Sequence, residues 1–276
     1  MATPRTIEPV PAEPLIRFED VHIGLDEREI LSGVSFMVQP RETKVIIGES
    51  GAGKTVLLKL AAGLLRPDSG RVVVMGHDLR EMKEVDLLDF RRSLGFVFQE
   101  GALFDSMSVA ENVAFRLSQE GVPAEEIETR VREVLRFVEL EEAYDKYPAE
   151  LSGGMRRRVS IARAIISRPP MVYYDSPTAG LDPVTSQTII TLILRLRDYV
   201  GATSLLATHR LQDAFGLANF EFDFTSERVI PIWEAPERSR VSATTFLVLR
   251  EGRAYFEGEP VELLKSEDKY LQQFLF

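Results

Sequence analysis

Eight consecutive residues, GESGAGKT from Gly48 to Thr55, carry the strongest chemical signal in the chain. Glycine, four variable positions, glycine, lysine and a hydroxyl residue make up the pattern of a loop built to hold phosphate. Gly48, Gly51 and Gly53 let backbone N–H groups turn inward toward an anion, with Glu49, Ser50 and Ala52 between them. Lys54 is placed to reach the outer phosphates of a nucleotide, and Thr55 to offer an oxygen to Mg2+.

A second signal lies downstream. The run MVYYD, Met171 to Asp175, is apolar until it meets a carboxylate. A charge at the end of a buried strand is costly unless it is paired or bound to metal, so Asp175 is expected to hold Mg2+ through water. Ser176 follows it directly. Gln99 in GFVFQE and His209 in LLATHR also close apolar strands, on the edge where a parallel sheet of this kind binds its ligand, and both are read as site members. The stretch LSGGMRRRVSIARAI, Leu151 to Ile165, offers another helix N-terminus suited to an anion. Ser152 serves there as cap, and Gly153 and Gly154 permit close approach. At least two of Arg156, Arg157 and Arg158 are expected on a solvated helix face.

These residues need particular elements to position them. Short β-rich runs, LIRFEDVHI, LSGVSFMV and ETKVIIG, read as strands of a small mixed sheet leading to a buried strand at Lys44 to Ile47. The glycine loop follows, then KTVLLKLAAGLL with apolar residues at helical spacing, which is the strand, loop and helix context that a phosphate loop requires. From about 79 to 168 helix formers dominate, with PAEEIETRVREVLRFVEL amphipathic and started by proline, so a helical subdomain is expected there. Beyond it, MVYYD and TSLLATH flank a helix over TSQTIITLILRLRDY, a strand, helix and strand unit of a parallel sheet. Residues 219–245 lose periodicity and contain Trp233, the only tryptophan, so an irregular or hairpin excursion is expected before the closing segment 246–276.

Composition narrows the class. The chain has 276 residues, enough for one large domain with a sizeable subdomain, and carries 33 Lys+Arg against 43 Asp+Glu, a formal charge of −10. That balance argues against nucleic acid or an anionic lipid surface as the main partner. With no cysteine, neither disulfides nor thiolate metal sites are available, and a reducing compartment is permitted. Four prolines in MATPRTIEPVPAEP make residues 1–14 a flexible tail by expectation, not a signal peptide or anchor. The most apolar long window, TIITLILRLRDYVGATSLLAT, is interrupted by Arg195, Arg197 and Asp198, so no membrane span is expected and the chain should be soluble by itself.

Taken together, these motifs resemble the ATP-binding subunit of ABC transporters, over about Leu15 to Phe276. GESGAGKT looks like that family's Walker A loop, FQE its Q-loop, LSGGM its signature, MVYYD its Walker B strand, AGLDP its D-loop and ATH its switch histidine. The resemblance implies an α/β fold, a P-loop NTPase with an N-terminal mixed β subdomain and a helical subdomain. It further implies ATP and Mg2+ as cofactors, with Thr55, Gln99 and Asp175 at the metal and Ser176, His209 and Gln99 around the attacking water. Two such subunits, expected to be identical, would meet head to tail, so that Ser152, Gly153 and Gly154 of one face the γ-phosphate held by Lys54 of the other. FQEGALFDSMSVAENVAF, LSGGMRRRVSIARAI and EDKYLQQFLF are similar to the ATPase of Mla/Mce-type lipid transport systems. That similarity implies a membrane permease docking near Gln99 and GALFDSMS, an Mce-type lipid carrier as an indirect partner, phospholipid or another hydrophobic cargo, and a place on the cytoplasmic face of the inner membrane.

Three departures from the family pattern stand out. The aromatic that stacks on adenine would align with Leu25, so base stacking is weaker or comes from elsewhere. The excursion over 219–245 is longer than the family needs. Ser176 replaces the glutamate that serves as general base; a serine hydroxyl can hold a water but is too weak a base to deprotonate it, which sets an ATP-binding but hydrolysis-poor subunit beside the transporter motor as an alternative. A soluble ABC protein of translation or DNA repair is the third reading, disfavoured by the single cassette and by the lack of a long coiled-coil insertion.

Overall fold

The computed structural model describes residues 13–235 and 244–275. Most of the expected N-terminal tail, residues 1–12, and part of the excursion, residues 236–243, lie outside them. The first strands, β1 (Ile16–Leu25) and β2 (Arg28–Val38), form an antiparallel hairpin, and β1 pairs on its other edge with β4 (Ser69–Val74), which carries the short β5 (His77–Asp78). Along β1 the residues Ile16, Phe18, Val21 and Ile23 are buried and those between are more exposed, as expected of a sheet with one wet face. This small sheet is antiparallel in each of its pairings, so the mixed sheet anticipated from the sequence is not formed.

The third run belongs elsewhere. β3 (Thr43–Gly48) is buried at every position and lies inside a six-stranded sheet with β6 (Leu94–Val97), β7 (Met171–Asp175), β8 (Thr203–Thr208), β11 (Thr244–Arg250) and β12 (Arg253–Gly258). The order is β12-β11-β3-β8-β7-β6, parallel throughout except for β12, which returns antiparallel along β11. Because side chains alternate across a strand, each parallel strand feeds two cores. Val45, Ile47, Val172, Tyr174 and Leu206 face one core, and Ile46, Met171, Tyr173 and Leu205 face the other.

The second of these cores is closed by α1 (Lys54–Ala61) and the small antiparallel sheet, with α2 (Glu84–Arg92) at its margin through Leu87 and Phe90. The first is closed by α3 (Val109–Gln119), α4 (Ala124–Phe137), α5 (Gly153–Ile165), α6 (Pro183–Val200) and α7 (Leu211–Asn219). Asp182 caps α6, accepting from the amides of Val184 and Thr185, Pro183 opens it, and Gly201 ends it in the left-handed conformation. Arg197, which interrupts the apolar window, is buried within α6, paired with Asp198 and bonded to the carbonyls of Leu217 and Phe220. Among the described residues no helix is long and apolar enough to cross a membrane. The excursion contains an antiparallel hairpin, β9 (Phe220–Asp223) and β10 (Arg228–Pro231), and after β12 the chain closes with α8 (Pro260–Lys265) and α9 (Lys269–Leu275).

Candidate functional site

The glycine loop occupies residues 49–53, between β3 and α1. Gly48, Gly51 and Gly53 have φ of 157°, 82° and 100°, in the region that L side chains rarely adopt. Gly53 is further constrained by space, since a Cβ there would come 2.6 Å from Leu31 Cδ2. The loop delivers the chain to the N-terminus of α1, whose leading amides carry the positive end of the helix dipole. Lys54 Nζ bends back to donate to the carbonyls of Gly48 at 2.9 Å and Glu49 at 2.8 Å, which holds the amine over the loop. Burial lowers the Lys54 pKa, and the charge of Asp175 opposes that shift.

Thr55, the next residue of α1, donates from Oγ1 to Asp175 Oδ1 at 3.0 Å. Asp175 sits at the carboxyl end of β7 and is buried. Desolvation raises its pKa; the Thr55 hydroxyl, the charges of Lys59 and Lys54 and the Ser176 hydroxyl pull it back. Ser176 turns away from the strand with φ 47° and donates its amide to Ala207 O at 2.8 Å, which ties the ends of β7 and β8 together.

These groups converge on a pocket of ≈ 320 Å³ lined by Ile30, Ser50, Gly51, Gly53, Lys54, Thr55, Val56, Gln99, Ser176 and His209. Gln99 and His209, picked out in sequence as separate strand ends, and Ser176, which follows Asp175, are thus brought to one cavity with the loop. Gly48, Glu49 and Ala52 are not among its lining residues, and Asp175 reaches it through Thr55. One hydroxyl and one carboxylate form a hard oxygen pair, and among the described residues no cluster of three or more His, Cys, Asp or Glu exists. That donor set fits Mg2+, which keeps several waters and is held by one or two protein oxygens plus substrate phosphates.

Ser152, Gly153 and Gly154 stand outside the pocket. Ser152 accepts from Met155 N at 3.2 Å and caps α5, with Gly153 exposed beside it. Gly154 is buried, and a Cβ there would be driven into Thr185 Cγ2 of α6. The expectation for the arginines is corrected. Only Arg156 is exposed; Arg157 is 5% exposed and donates to the carbonyls of Phe98, at 2.6 Å, and Gln99, and half-buried Arg158 donates to those of Val138 and Glu139. Three consecutive helix positions point about 100° apart, so one of them can face inward while its neighbours do not. Arg157 does so because the backbone carbonyls of the turn after β6 are there to receive it. Burial lowers its pKa, while the charges of Asp175 and Glu100 raise it.

Two further features escaped the sequence reading. Ile30 and Val56 supply the apolar lining of the pocket, whereas Leu25, at the end of β1, is 40% exposed and outside it. A buried cluster of Thr178, Thr208 and Asp213 lies behind Ser176 and His209.

A family model described as ABC transporter matches residues 31–179, more than half of the chain, from β2 through the loop and signature to the turn after Asp175. The methionine import ATP-binding protein MetN of Mesorhizobium japonicum is 36% identical over 236 residues, 84% of this chain and 65% of that protein. MetN of Rhizobium meliloti is 43% identical over 182 residues, 66% of this chain and 51% of its own length. The chain thus spans about half to two thirds of these curated relatives. Among solved structures, cbiO1 from Clostridium perfringens, part of the ABC transporter complex cbiONQ, superposes with a TM-score of 0.76 at 26% identity over 92% of each chain. The ATP-binding cassette MJ0796, a dimer in a post-hydrolysis state with ADP and Pi, gives 0.72 at 26% identity over 88% of this chain and 98% of that one. A matched segment that contains the loop, the strand of Asp175 and the helix of Ser152, on a fold shared with complete cassettes, means that the chain belongs to the ABC transporter family, as an ATP-binding domain.

Proposed function

We propose that this chain binds MgATP and hydrolyses it to drive a membrane permease. The observation that carries the reading is the pocket in which Lys54 and Thr55, at the amino end of α1, meet Gln99, Ser176 and His209, which follow the ends of the parallel strands β6, β7 and β8. The phosphates are held by the loop amides and Lys54. Thr55 and Asp175, with Gln99 lining the same pocket, would hold Mg2+, which would neutralise charge on the phosphates when bound. Water attacks the γ-phosphorus as the bond to the β,γ-bridging oxygen breaks, the water's proton passes to an oxygen of the phosphate product and on to solvent, and ADP and phosphate leave. His209, Gln99 and the Ser176 hydroxyl orient that water.

Ser152, Gly153 and Gly154 have no phosphate partner within their own subunit, and the exposure of Ser152 and Gly153 leaves them available to a second copy. We therefore read the working unit as a dimer closed by ATP, in keeping with the dimeric MJ0796 cassette. A groove lined by Phe96, Phe98, Phe104, Phe115, Arg116 and Arg163 adjoins Gln99, in the stretch expected to receive the permease. Hydrogen bonds tie its backbone together: Asn112, fully buried, bonds the backbone of Phe104, Met107 and Ser108, and Arg163 bonds the carbonyls of Gly101 and Ala102. On this reading the chain works at the cytoplasmic face of the inner membrane.

For cargo we favour phospholipid or another hydrophobic molecule, with an Mce-type carrier further along the route, on the similarity of FQEGALFDSMSVAENVAF, the signature helix and the C-terminal segment to lipid systems. Methionine import is the second reading, favoured by the names of the relatives at 36% and 43% identity. Reconstituting the chain with its copurifying permease and following phosphate release separates them. Stimulation by phospholipid and not by methionine supports the first; the reverse supports the second. A wild-type rate equal to that of Lys54→Ala would instead support a subunit that binds ATP and gates without turnover.

A further inference from the structure

Ser176 and His209 face the pocket from two segments of chain, 176–179 and 208–210, that are joined behind it by a buried polar cluster. Thr178, Thr208, Ser186 and Asp213 are 0%, 1%, 3% and 3% exposed. Asp213, in the first turn of α7, accepts through Oδ2 from the Thr178 hydroxyl and from the Thr208 hydroxyl at 3.3 Å, and its Oδ1 lies 3.8 Å from Arg210 Nε. Arg210 donates from Nη1 to Thr178 O at 3.2 Å and Ser186 Oγ at 2.8 Å, and its amide donates to Thr208 Oγ1 at 3.0 Å. The backbone adds Ser176 N to Ala207 O at 2.8 Å and Ala179 N to Ser176 O at 3.0 Å.

This arrangement has a purpose that core packing does not require. A buried carboxylate is costly unless its partners satisfy it, and two apolar side chains would fill the same space more cheaply. Ser176, with φ 47°, is held in a conformation that persists only when the surroundings over-determine it. None of the described residues that line the pocket carries a carboxylate. Rate then depends on how firmly the remaining groups hold water in line with the γ-phosphorus.

We propose that Asp213 is a positioning residue for the hydrolytic step: with Thr178, Thr208 and Arg210 it fixes Ser176 and His209 relative to one another across the pocket. The proposal rests on the hydrolytic reading above. Thr178 ties the Ser176 turn to the carboxylate, Thr208 ties the end of β8, and Arg210 spans both and anchors them to α6 through Ser186. None of the four lines the pocket, so ATP affinity does not depend on them.

The test uses the full chain carrying Asp213→Asn, Thr178→Val or Thr178→Ser, each close in size to the original residue. For Asp213→Asn and Thr178→Val, kcat for MgATP should fall about 10- to 100-fold, the scale on which small misplacements of reacting groups act, with KM unchanged. Thr178→Ser, which keeps the hydroxyl, should retain the wild-type rate. Amide exchange gives an arm independent of turnover: the Ser176 amide should exchange about tenfold faster in Asp213→Asn, while the β3 amides keep their protection. Unchanged kcat and unchanged Ser176 exchange would overturn the proposal, as would a Thr178→Ser enzyme as slow as Thr178→Val, or a parallel loss of ATP binding. If the wild type releases no phosphate, the hydrolytic reading fails by itself. The exchange arm then decides whether the clamp exists, with faster Ser176 exchange for it and no change against it.

Discussion

Replacing Ser176 by glutamate puts a carboxylate where the pocket has a hydroxyl. A positioned general base is worth about 10² to 10⁴ in rate. Two costs act against it. Ser176 is 8% exposed, so the longer side chain loses rotamer freedom worth up to about 2 kcal/mol, about 30-fold in rate if all of it is charged to the transition state. The backbone adds little, because Ser176 already occupies φ 47° without being glycine. Asp175 next to it disfavours a second negative charge, which lifts the new carboxyl's pKa toward neutrality and suits a base. The balance leaves a gain of about 3- to 300-fold. Phosphate release at saturating MgATP measures it, with Ser176→Gln as a control of equal size that cannot act as a base. The expected result is a faster Ser176→Glu, no gain for Ser176→Gln, and unchanged ATP affinity. A wild type that already turns over at about 1–10³ s⁻¹ and is not accelerated by Ser176→Glu would refute the reasoning, since another group would then be the base.

Three further outcomes follow from the same geometry. Burial raises the Asp175 pKa, so the fold favours its neutral form; the penalty is absent while both states are protonated and grows as pH rises through the carboxylate range. In nucleotide-free buffer Asp175→Asn should therefore raise Tm at pH 7 to 8, the gain shrinking toward zero near pH 4, as calorimetric scans across that range would record. Arg157→Met removes the donors to the carbonyls of Phe98 and Gln99 and should cost about 1.5–3 kcal/mol by denaturant unfolding, with loss of permease-stimulated turnover because Gln99 is released. Light scattering should find monomers in ADP and dimers in ATP, since the exposed Ser152 and Gly153 gain a partner only from a bound γ-phosphate; a stable dimer in ADP would point to the C-terminal helices or the Trp233 region as the contact.

Much of this site could be read from sequence because its parts are local. The loop depends on glycines at fixed offsets between a strand and a helix, and β7, α6 and β8 follow from runs of the right length and period. What escaped was decided by distant chain. Arg157 sits in a triplet that reads as a charged face, and only the folded position of the Phe98 and Gln99 carbonyls draws it inward. Asp213 reads as an ordinary polar residue near a helix start until Thr178, 35 positions earlier, closes on it. Register shifts in β1 between Val21 and Gly24 alter the pairing just before Leu25, and alignment by position does not reveal that Ile30, on the partner strand, lines the pocket instead. The all-antiparallel small sheet was likewise hidden, because alternation reports a half-buried strand and not its partner's direction.

The central claim, that this loop holds the phosphates of ATP, is tested most directly by titrating MgATP into the purified chain and into Lys54→Ala by calorimetry. Lys54 supplies a charged donor at the loop, and losing such a bond costs about 1.5–3 kcal/mol, so affinity should fall about 10- to 100-fold while circular dichroism stays unchanged. Equal binding by the two proteins would contradict the account.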